Sequence, residues 1–211
     1  MDNRRTRLYD WHIRNNAKTV TFGGWEMPLA YQQGALEEHR ITRRSVGLFD
    51  IDHMGQFELR GPEAGVALKH LLSFDPTTLA PYESHYALLL AEDAGVLDDL
   101  FVYRLPDRWL VVVNAANRES DFIWMNRHIG GFDATLVDRS DQLYMIAVQG
   151  PRALELFEAA MEVEGSPSLW VAPARFFAQE VSLAENNVVV GRTGYTGEDG
   201  VDLFFPEQAA E

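Results

Sequence analysis

Two adjacent acidic residues, Asp98 and Asp99, stand in the apolar stretch GVLDDLFVYR at 95–104. If this stretch forms a strand, its two-residue period places Asp99 on one face with Phe101 and Tyr103. Asp98 then points to the other face. A carboxylate beside two aromatic rings can orient an amine or take a proton from it, while the rings stack on a flat ligand. The alternative is an acidic pair that follows a turn and stays solvated.

A second stretch of interest, GRTGYTGEDG at 191–200, carries four glycines spaced three residues apart between two apolar runs. The strand-like residues that follow argue against a phosphate-binding loop, which is followed by a helix. The pattern predicts a β-hairpin with Asp199 and Gly200 as turn residues. Glycine in a strand also marks places where a ligand approaches the backbone closely, so the hairpin and a ligand-binding role are compatible.

The histidines give little support for a metal site, because none of the six has the HExxH spacing or a similar paired ligand spacing. The pair Asp52 and His53 is adjacent, and neighbours in a strand point to opposite faces. We therefore interpret His53 as a hydrogen-bonded structural histidine. The sequence contains neither cysteine nor a GxSxG motif, which excludes thiolate chemistry and the commonest serine-hydrolase signal.

The elements that must position these residues can be predicted from hydrophobic periodicity. Helices are predicted after Pro62, after Pro151, after a capping Asn117, and over residues 34–46.

Strands over 86–91, 96–104 and 109–113 form an antiparallel meander. Because helices and strands are mixed without strict alternation, we expect an α+β class of antiparallel sheets packed with helices.

Composition limits the function further. The 211 residues are 46% hydrophobic and 24% charged, typical of a soluble globular protein, and their net charge of −14 would repel nucleic acid. No apolar run reaches the length of a membrane span, and no targeting segment is evident, so we expect no membrane association and a cytoplasmic location.

Seven stretches, in order along the chain, resemble the T-protein of the glycine cleavage system, a tetrahydrofolate-dependent aminomethyltransferase family. They are LYDWH (8–12), FGGWEMPLAY (22–31), RRSVGLFDIDHMG (43–55), GVLDDLFVYR (95–104), VVNAAN (112–117), IAVQGP (146–151) and RTGYTGEDG (192–200).

The resemblance implies a T-protein-like folate-binding fold that lacks the family's C-terminal β-barrel, as expected for the N-terminal part of a longer protein. It implies a first folate-binding domain of residues 1–50 with 140–211, and an inserted α+β domain of residues 51–139 that carries the catalytic acid.

By the same resemblance Asp99 is the catalytic carboxylate. The residues implied to line the tetrahydrofolate site are Met54, Tyr86, Tyr103, Asn117, Tyr195 and Asp202. The chain departs from the family at two positions, with Asp202 where glutamate is usual and Asp52 where serine is usual.

The reaction implied is transfer of a methylene unit from the aminomethyl-lipoyl arm of the H-protein to tetrahydrofolate, with release of ammonia. Two alternatives stay open: a folate-dependent demethylase of a related substrate, and a folate-binding protein without catalysis.

Overall fold

The computed structural model describes residues 3–163, 172–183 and 185–206. Within these ranges the helices are α1 (Tyr9–Arg14), α2 (Ala35–Arg44), α3 (Ala64–Leu71), α4 (Arg118–His128) and α5 (Ala153–Val163). The strands are β1 (Arg4–Arg5), β2 (Lys18–Phe22), β3 (Trp25–Ala30), β4 (Gly47–Asp50), β5 (Gly55–Arg60), β6 (Ser84–Leu90), β7 (Val96–Arg104), β8 (Trp109–Val113), β9 (Thr135–Asp138), β10 (Leu143–Gln149), β11 (Ala178–Leu183), β12 (Asn186–Gly191) and β13 (Gly200–Pro206).

The chain divides into two compact units. The first comprises Met1–His53, Leu143–Arg175 and Gln179–Glu211, and the second comprises Met54–Gln142 with Phe176–Ala178. The roles expected of the two predicted domains stay predictions.

The second unit is built on a five-stranded sheet of order β6-β7-β8-β5-β9 in which every neighbouring pair is antiparallel. The predicted meander is confirmed as β6, β7 and β8, with β6 beginning two residues before the predicted start. Helices α3 and α4 contribute to a core with the sheet that includes the buried Phe57, Leu68, Val102 and Met125.

The helix predictions locate the elements, with small errors at their ends. Helices α3 and α5 each begin two residues after the predicted prolines, and α4 follows Asn117 as expected. Asn117 occupies the cap position, but its side chain makes no capping hydrogen bond. Helix α2 begins at Ala35 and ends at Arg44, and Gly47 already belongs to β4, so the predicted helix of 34–46 is too long by one residue at its start and two at its end.

The first unit contains a five-stranded sheet of order β11-β12-β13-β10-β4 and a small sheet of order β1-β3-β2. Helix α5 and the larger sheet share a buried core with Val148, Phe157, Val190 and Leu203. The pairs that β10 makes with β13 and β4 are antiparallel, whereas β1 and β3 pair in parallel.

Strands β12 and β13 form the predicted hairpin, but its turn differs from the prediction. Gly200 is the first residue of β13 and pairs with Gln149, so Asp199 and Gly200 are not the turn residues. A Cβ at position 200 would collide with the backbone carbonyl of Val148, which explains why a strand residue here is glycine. The positive φ angles occur at Gly194 and Gly197, at +156° and +80°.

These elements confirm the α+β class of antiparallel sheets packed with helices. Within the part of the chain that the structure describes, none of the helices has the length and apolar character needed to cross a membrane.

Candidate functional site

The two carboxylates of β7 point to opposite faces of the sheet in the second unit. Asp98 lies on the face of the buried Leu100 and Val102 and is 5% exposed, whereas Asp99 is exposed. The predicted alternation is confirmed. The alternative of a solvated pair is wrong for Asp98, because amide groups and a second carboxyl group surround its side chain.

Aromatic rings lie near Asp99 on its face of the sheet. Tyr86 of β6 is opposite Phe101 in the strand register, with ring centroids 6.4 Å apart. Phe101 lies 5.8 Å from the ring of Tyr103 and stacks on Phe176 at 6.2 Å. Tyr103 is 1% exposed and Tyr86 is 49% exposed. Tyr86 and Asp99 are therefore accessible to a ligand in this chain, while Tyr103 is packed beside Phe101.

Two neutral donors hold the carboxylate of Asp99. The side-chain amide of Asn114 donates to Asp99 Oδ1 at 3.1 Å, and the hydroxyl of Tyr86 donates to the same carboxylate. The pKa of Tyr86 is raised by desolvation, and further by the negative charge of Asp99 and this hydrogen bond. The phenol therefore stays protonated at neutral pH and can act as a donor beside a carboxylate.

A buried polar network lies behind Asp99. Asp98 accepts hydrogen bonds from the backbone and the side-chain amide of Asn114 at 3.1 and 3.0 Å, and from the side-chain amide of Asn117 at 2.7 Å. Asn117 is thus brought close to the acidic pair, but its amide nitrogen is bound to Asp98.

Asp121 on α4 completes this network and was not found by the sequence analysis. It is 2% exposed, and burial together with a hydrogen bond to Asp98 and its charge raises the pKa of Asp121 to about 8. The same network lowers the pKa of Asp98, through hydrogen bonds that outweigh its burial. One signal could have revealed it, because Asn117 and Asp121 are four residues apart and share one helix face.

Of the other predicted site residues in the second unit, Met54 is partly exposed in the segment just before β5. The structure thus assembles Asp99 and Tyr86 directly, with Tyr103 and Asn117 one contact further away.

In the first unit, the loop between β12 and β13 is organised around a buried amide. Gln149 of β10 is fully buried, donates to the carbonyl of Thr193 at 3.0 Å, and accepts from the hydroxyl of Thr196 at 3.0 Å. A Cβ at Gly194 would collide with this amide. The glycine-rich sequence therefore makes room for Gln149.

Asp202 and Tyr195 belong to the same hairpin. The hydroxyl of Thr193 donates to Asp202 Oδ2 at 2.6 Å, while Oδ1 of Asp202 is buried and has no hydrogen-bond partner within residues 3–163, 172–183 and 185–206. Burial raises the pKa of Asp202 to about 6, against the effect of the hydrogen bond from Thr193. Tyr195 is 67% exposed, and its ring centroid lies 6.3 Å from that of Phe49.

The structure accounts for Asp52, which replaces the serine expected from the resemblance. Its carboxylate is 5% exposed and accepts from Nη1 of Arg7 at 2.7 Å and from the backbone of Arg7 at 3.2 Å. Burial raises the pKa of Asp52 to about 6, although Arg7 opposes the shift. Asp52 therefore ties the N-terminal segment to the end of β4.

The interpretation of His53 as a hydrogen-bonded histidine in a strand is wrong. His53 lies in a turn after β4, and its ring contacts Phe22 edge-on. Its Nδ1 is buried and has no hydrogen-bond partner in the described part of the chain. His12, by contrast, is a structural histidine with partners at both ring nitrogens, which lie 2.7 Å from Asp50 and 2.6 Å from the hydroxyl of Tyr31.

Fold and local geometry together define an α+β protein of two units. One unit has the accessible carboxylate of Asp99 beside Tyr86, and the other has the buried carboxylate of Asp202, whose Oδ1 accepts no hydrogen bond from the described residues. Residues 8–211 match the family described as the GCVT N-terminal domain. The chain therefore belongs to this family, the N-terminal part of the glycine cleavage T-protein.

Relatives of known name agree with this assignment. An aminomethyltransferase of Chlorobium limicola is 38% identical over 209 residues, which cover 98% of this chain and 56% of that protein. The crystal structure of the glycine cleavage system aminomethyltransferase T from Bartonella henselae matches with a TM-score of 0.86 and 35% identity, over 98% of this chain and 55% of that one. The chain thus spans about half the length of these relatives.

A more distant structure shares the fold alone. The heterotetrameric sarcosine oxidase of Corynebacterium sp. U-96 matches with a TM-score of 0.58 and 17% identity, over 96% of this chain and 87% of that one.

Proposed function

We propose that the protein containing this chain is the aminomethyltransferase of the glycine cleavage system. It transfers a methylene unit from the aminomethyl-lipoyl arm of the H-protein to tetrahydrofolate and releases ammonia. The observation that carries the proposal is Asp99, an exposed carboxylate held by Tyr86 and Asn114 in a chain of this family.

The chemistry requires proton movement at nitrogen. The methylene carbon loses its bonds to the lipoyl sulfur and to the amine nitrogen, and it gains bonds to two nitrogens of tetrahydrofolate. The two protons displaced from those nitrogens leave on the thiol and on ammonia. Asp99 is assigned to orient the amines and to assist these transfers, because a positioned carboxylate can hold an ammonium group or take its proton.

The accessible aromatic surface suits a flat substrate. Tyr86 presents half of its surface, and Phe101 beside it is partly exposed. A pteridine ring, or the aminobenzoyl ring of folate, can stack on such rings. We assign three further predicted residues, Met54, Tyr103 and Asn117, to the surroundings of this surface.

Asp202 is assigned to the pterin ring together with Tyr195. Its buried Oδ1 has no partner among the residues that the structure describes, and a buried acceptor without a donor costs free energy unless a ligand or water supplies one. The N–H groups of a pterin are suitable donors. Aspartate in place of the usual glutamate is one methylene shorter, so the ring is expected to lie closer to β13.

The test is the reaction itself with the full-length protein, the aminomethylated H-protein and tetrahydrofolate. The proposal predicts that 5,10-methylenetetrahydrofolate and ammonia form in equal amounts. Folate binding without either product would favour a non-catalytic folate-binding protein. Turnover of a methylated substrate such as dimethylsulfoniopropionate, with none of the aminomethylated H-protein, would favour the demethylase.

A further inference from the structure

We propose that Asp98 is a positioning residue for Asp99, acting through the side-chain amide of Asn114, whose nitrogen lies within hydrogen-bond distance of both carboxylates. This inference rests on the proposed function, because it assigns Asp98 a part in the chemistry of Asp99. It does not require Asp98 to touch a substrate.

The first step is the orientation of the Asn114 amide. Its nitrogen lies 3.0 Å from Asp98 Oδ1, 3.1 Å from Asp99 Oδ1 and 3.1 Å from the carbonyl of Asp99. An amide nitrogen carries two donors and no acceptor. Rotating the amide by 180° would place its oxygen against both carboxylates, so the two negative groups fix which way Asn114 points.

The second step is the position of Asn114 in the chain. Asn114 directly follows β8, and its backbone N–H also donates to Asp98, at 3.1 Å. Asp98 therefore binds both the main chain and the side chain of Asn114. Because Asp98 binds the backbone N–H and one N–H of the side-chain amide, the second N–H of the Asn114 amide points at Asp99.

The third step concerns the charge of the network. Asp98 and Asp121 are both buried, at 5% and 2% exposure, and they are hydrogen-bonded to each other. Two ionised carboxylates in contact would repel each other strongly in a buried setting. With the pKa of Asp121 at about 8, the pair carries one proton at neutral pH, and Asp121 donates it to Asp98. Asp98 thus keeps the negative charge that attracts Asn114 and Asn117.

The fourth step is the consequence for Asp99. Asn114 and Tyr86 are neutral donors to its carboxylate. Because Asn114 is fixed from behind by Asp98, the carboxylate of Asp99 is restricted to one rotamer without being neutralised by a cation. A reactant misplaced by an ångström can lose about 100-fold in rate, so this restriction matters for catalysis.

The kinetic test is a double-mutant cycle in the full-length protein. Asp98→Asn places an amide group against the side-chain amides of Asn114 and Asn117. We expect kcat for methylene transfer to fall by about 10-fold to 100-fold, with little change in KM for tetrahydrofolate. In an Asp99→Asn background the same substitution should cost less than about 2-fold, because the group it positions is already gone. A purely structural role would instead give the same loss in both backgrounds and would overturn the proposal.

The control is Asp138→Asn in the same unit. Asp138 accepts hydrogen bonds from Ser140 and Arg118, which do not bind Asp98 or Asp99. Its replacement therefore disturbs a structural carboxylate outside the network of the acidic pair. It should lower stability and leave kcat unchanged.

A second readout does not depend on activity. In this chain, the ¹³C shift of the Asp99 carboxyl group and the side-chain amide signals of Asn114 should both move in Asp98→Asn, while Asp138→Asn moves neither. An unchanged Asp99 signal in Asp98→Asn would overturn the positioning role. If both signals move in Asp98→Asn but the full-length protein transfers no methylene unit, the proposed function is refuted. The positioning of Asp99 by Asp98 is supported in that case.

Discussion

Replacing Asp121 by asparagine should change how the stability of this chain depends on pH. The substitution keeps the size of the side chain and an N–H donor toward Asp98, but it removes a proton that the folded chain is expected to hold at neutral pH. The prediction can be checked without substrates or partner proteins.

The magnitude follows from the pKa of Asp121, which burial and contact with Asp98 raise from 3.8 to about 8. Between these two values the folded chain holds a proton that the unfolded chain has released, so stability falls as pH rises and levels off above about pH 8. The slope inside this window is about 1.4 kcal/mol per pH unit. Relative to the parent chain, Asp121→Asn should therefore gain about 2 kcal/mol between pH 6 and pH 7.5.

Asp202→Asn provides the matched comparison. Burial raises the pKa of Asp202 only to about 6. Above about pH 6 the stability therefore depends little on Asp202, whereas it still falls with pH because of Asp121. The gain of Asp202→Asn from pH 6 to pH 7.5 should be about 0.4 kcal/mol. Urea unfolding of the three chains at these pH values, with equal denaturant slopes, gives both differences. A pH-independent difference for Asp121→Asn would show that the carboxyl pair carries no shared proton.

Three further predictions concern the first unit. Asp202→Ala should weaken tetrahydrofolate binding to the full-length protein by about 1–3 kcal/mol in calorimetry, whereas Asp202→Glu should preserve or tighten it; undiminished affinity in the alanine variant would remove Asp202 from the site. Gly194→Ala should destabilise the chain by about 1–3 kcal/mol, because the residue has a positive φ and lies against a buried amide. Gly131→Ala, whose added Cβ meets no atom of the described residues within 4 Å, should be nearly neutral when both variants are unfolded by heat, and equal losses would refute the packing argument. Arg7→Ala should cost about 3–5 kcal/mol at pH 8 by leaving the buried Asp52 unpaired. Adding Asp52→Ser should recover most of that loss, and an unrecovered loss would show that the ion pair is not its cause.

The sequence was most informative where one local pattern determines the structure. Turn residues on either side of β7 located its ends, and its two-residue period separated Asp98 from Asp99 correctly. The prolines at 62 and 151 located two helix starts to within two residues, although each lies just before its helix rather than in the first turn. Family motifs then indicated the likeness that the fold comparison confirmed.

The sequence failed where the partner of a residue lies far along the chain. Gly200 looks like a turn residue, but its role comes from the neighbouring strand β10, which only the sheet register brings beside it. Asp52 had no explanation until Arg7 was found 45 residues away. Asn117 has the right type for a cap, but its amide nitrogen donates to Asp98 and its side chain makes no capping hydrogen bond. Such contacts are set by tertiary packing, so local propensity does not reveal them.

The central claim, that Asp99 acts chemically in methylene transfer, is tested most directly by Asp99→Asn beside Glu92→Gln in the full-length protein. Glu92 lies in the turn before β7, and its side chain is 83% exposed. Glu92→Gln therefore removes one negative charge from the same hairpin without changing the hydrogen bonds of Asp98, Asp99 and Asn114. The rate of 5,10-methylenetetrahydrofolate formation should fall by about 10²–10⁴-fold in Asp99→Asn, with far less effect on folate affinity, and should be unchanged in Glu92→Gln. Equal and mild losses in the two variants would contradict the assignment of Asp99.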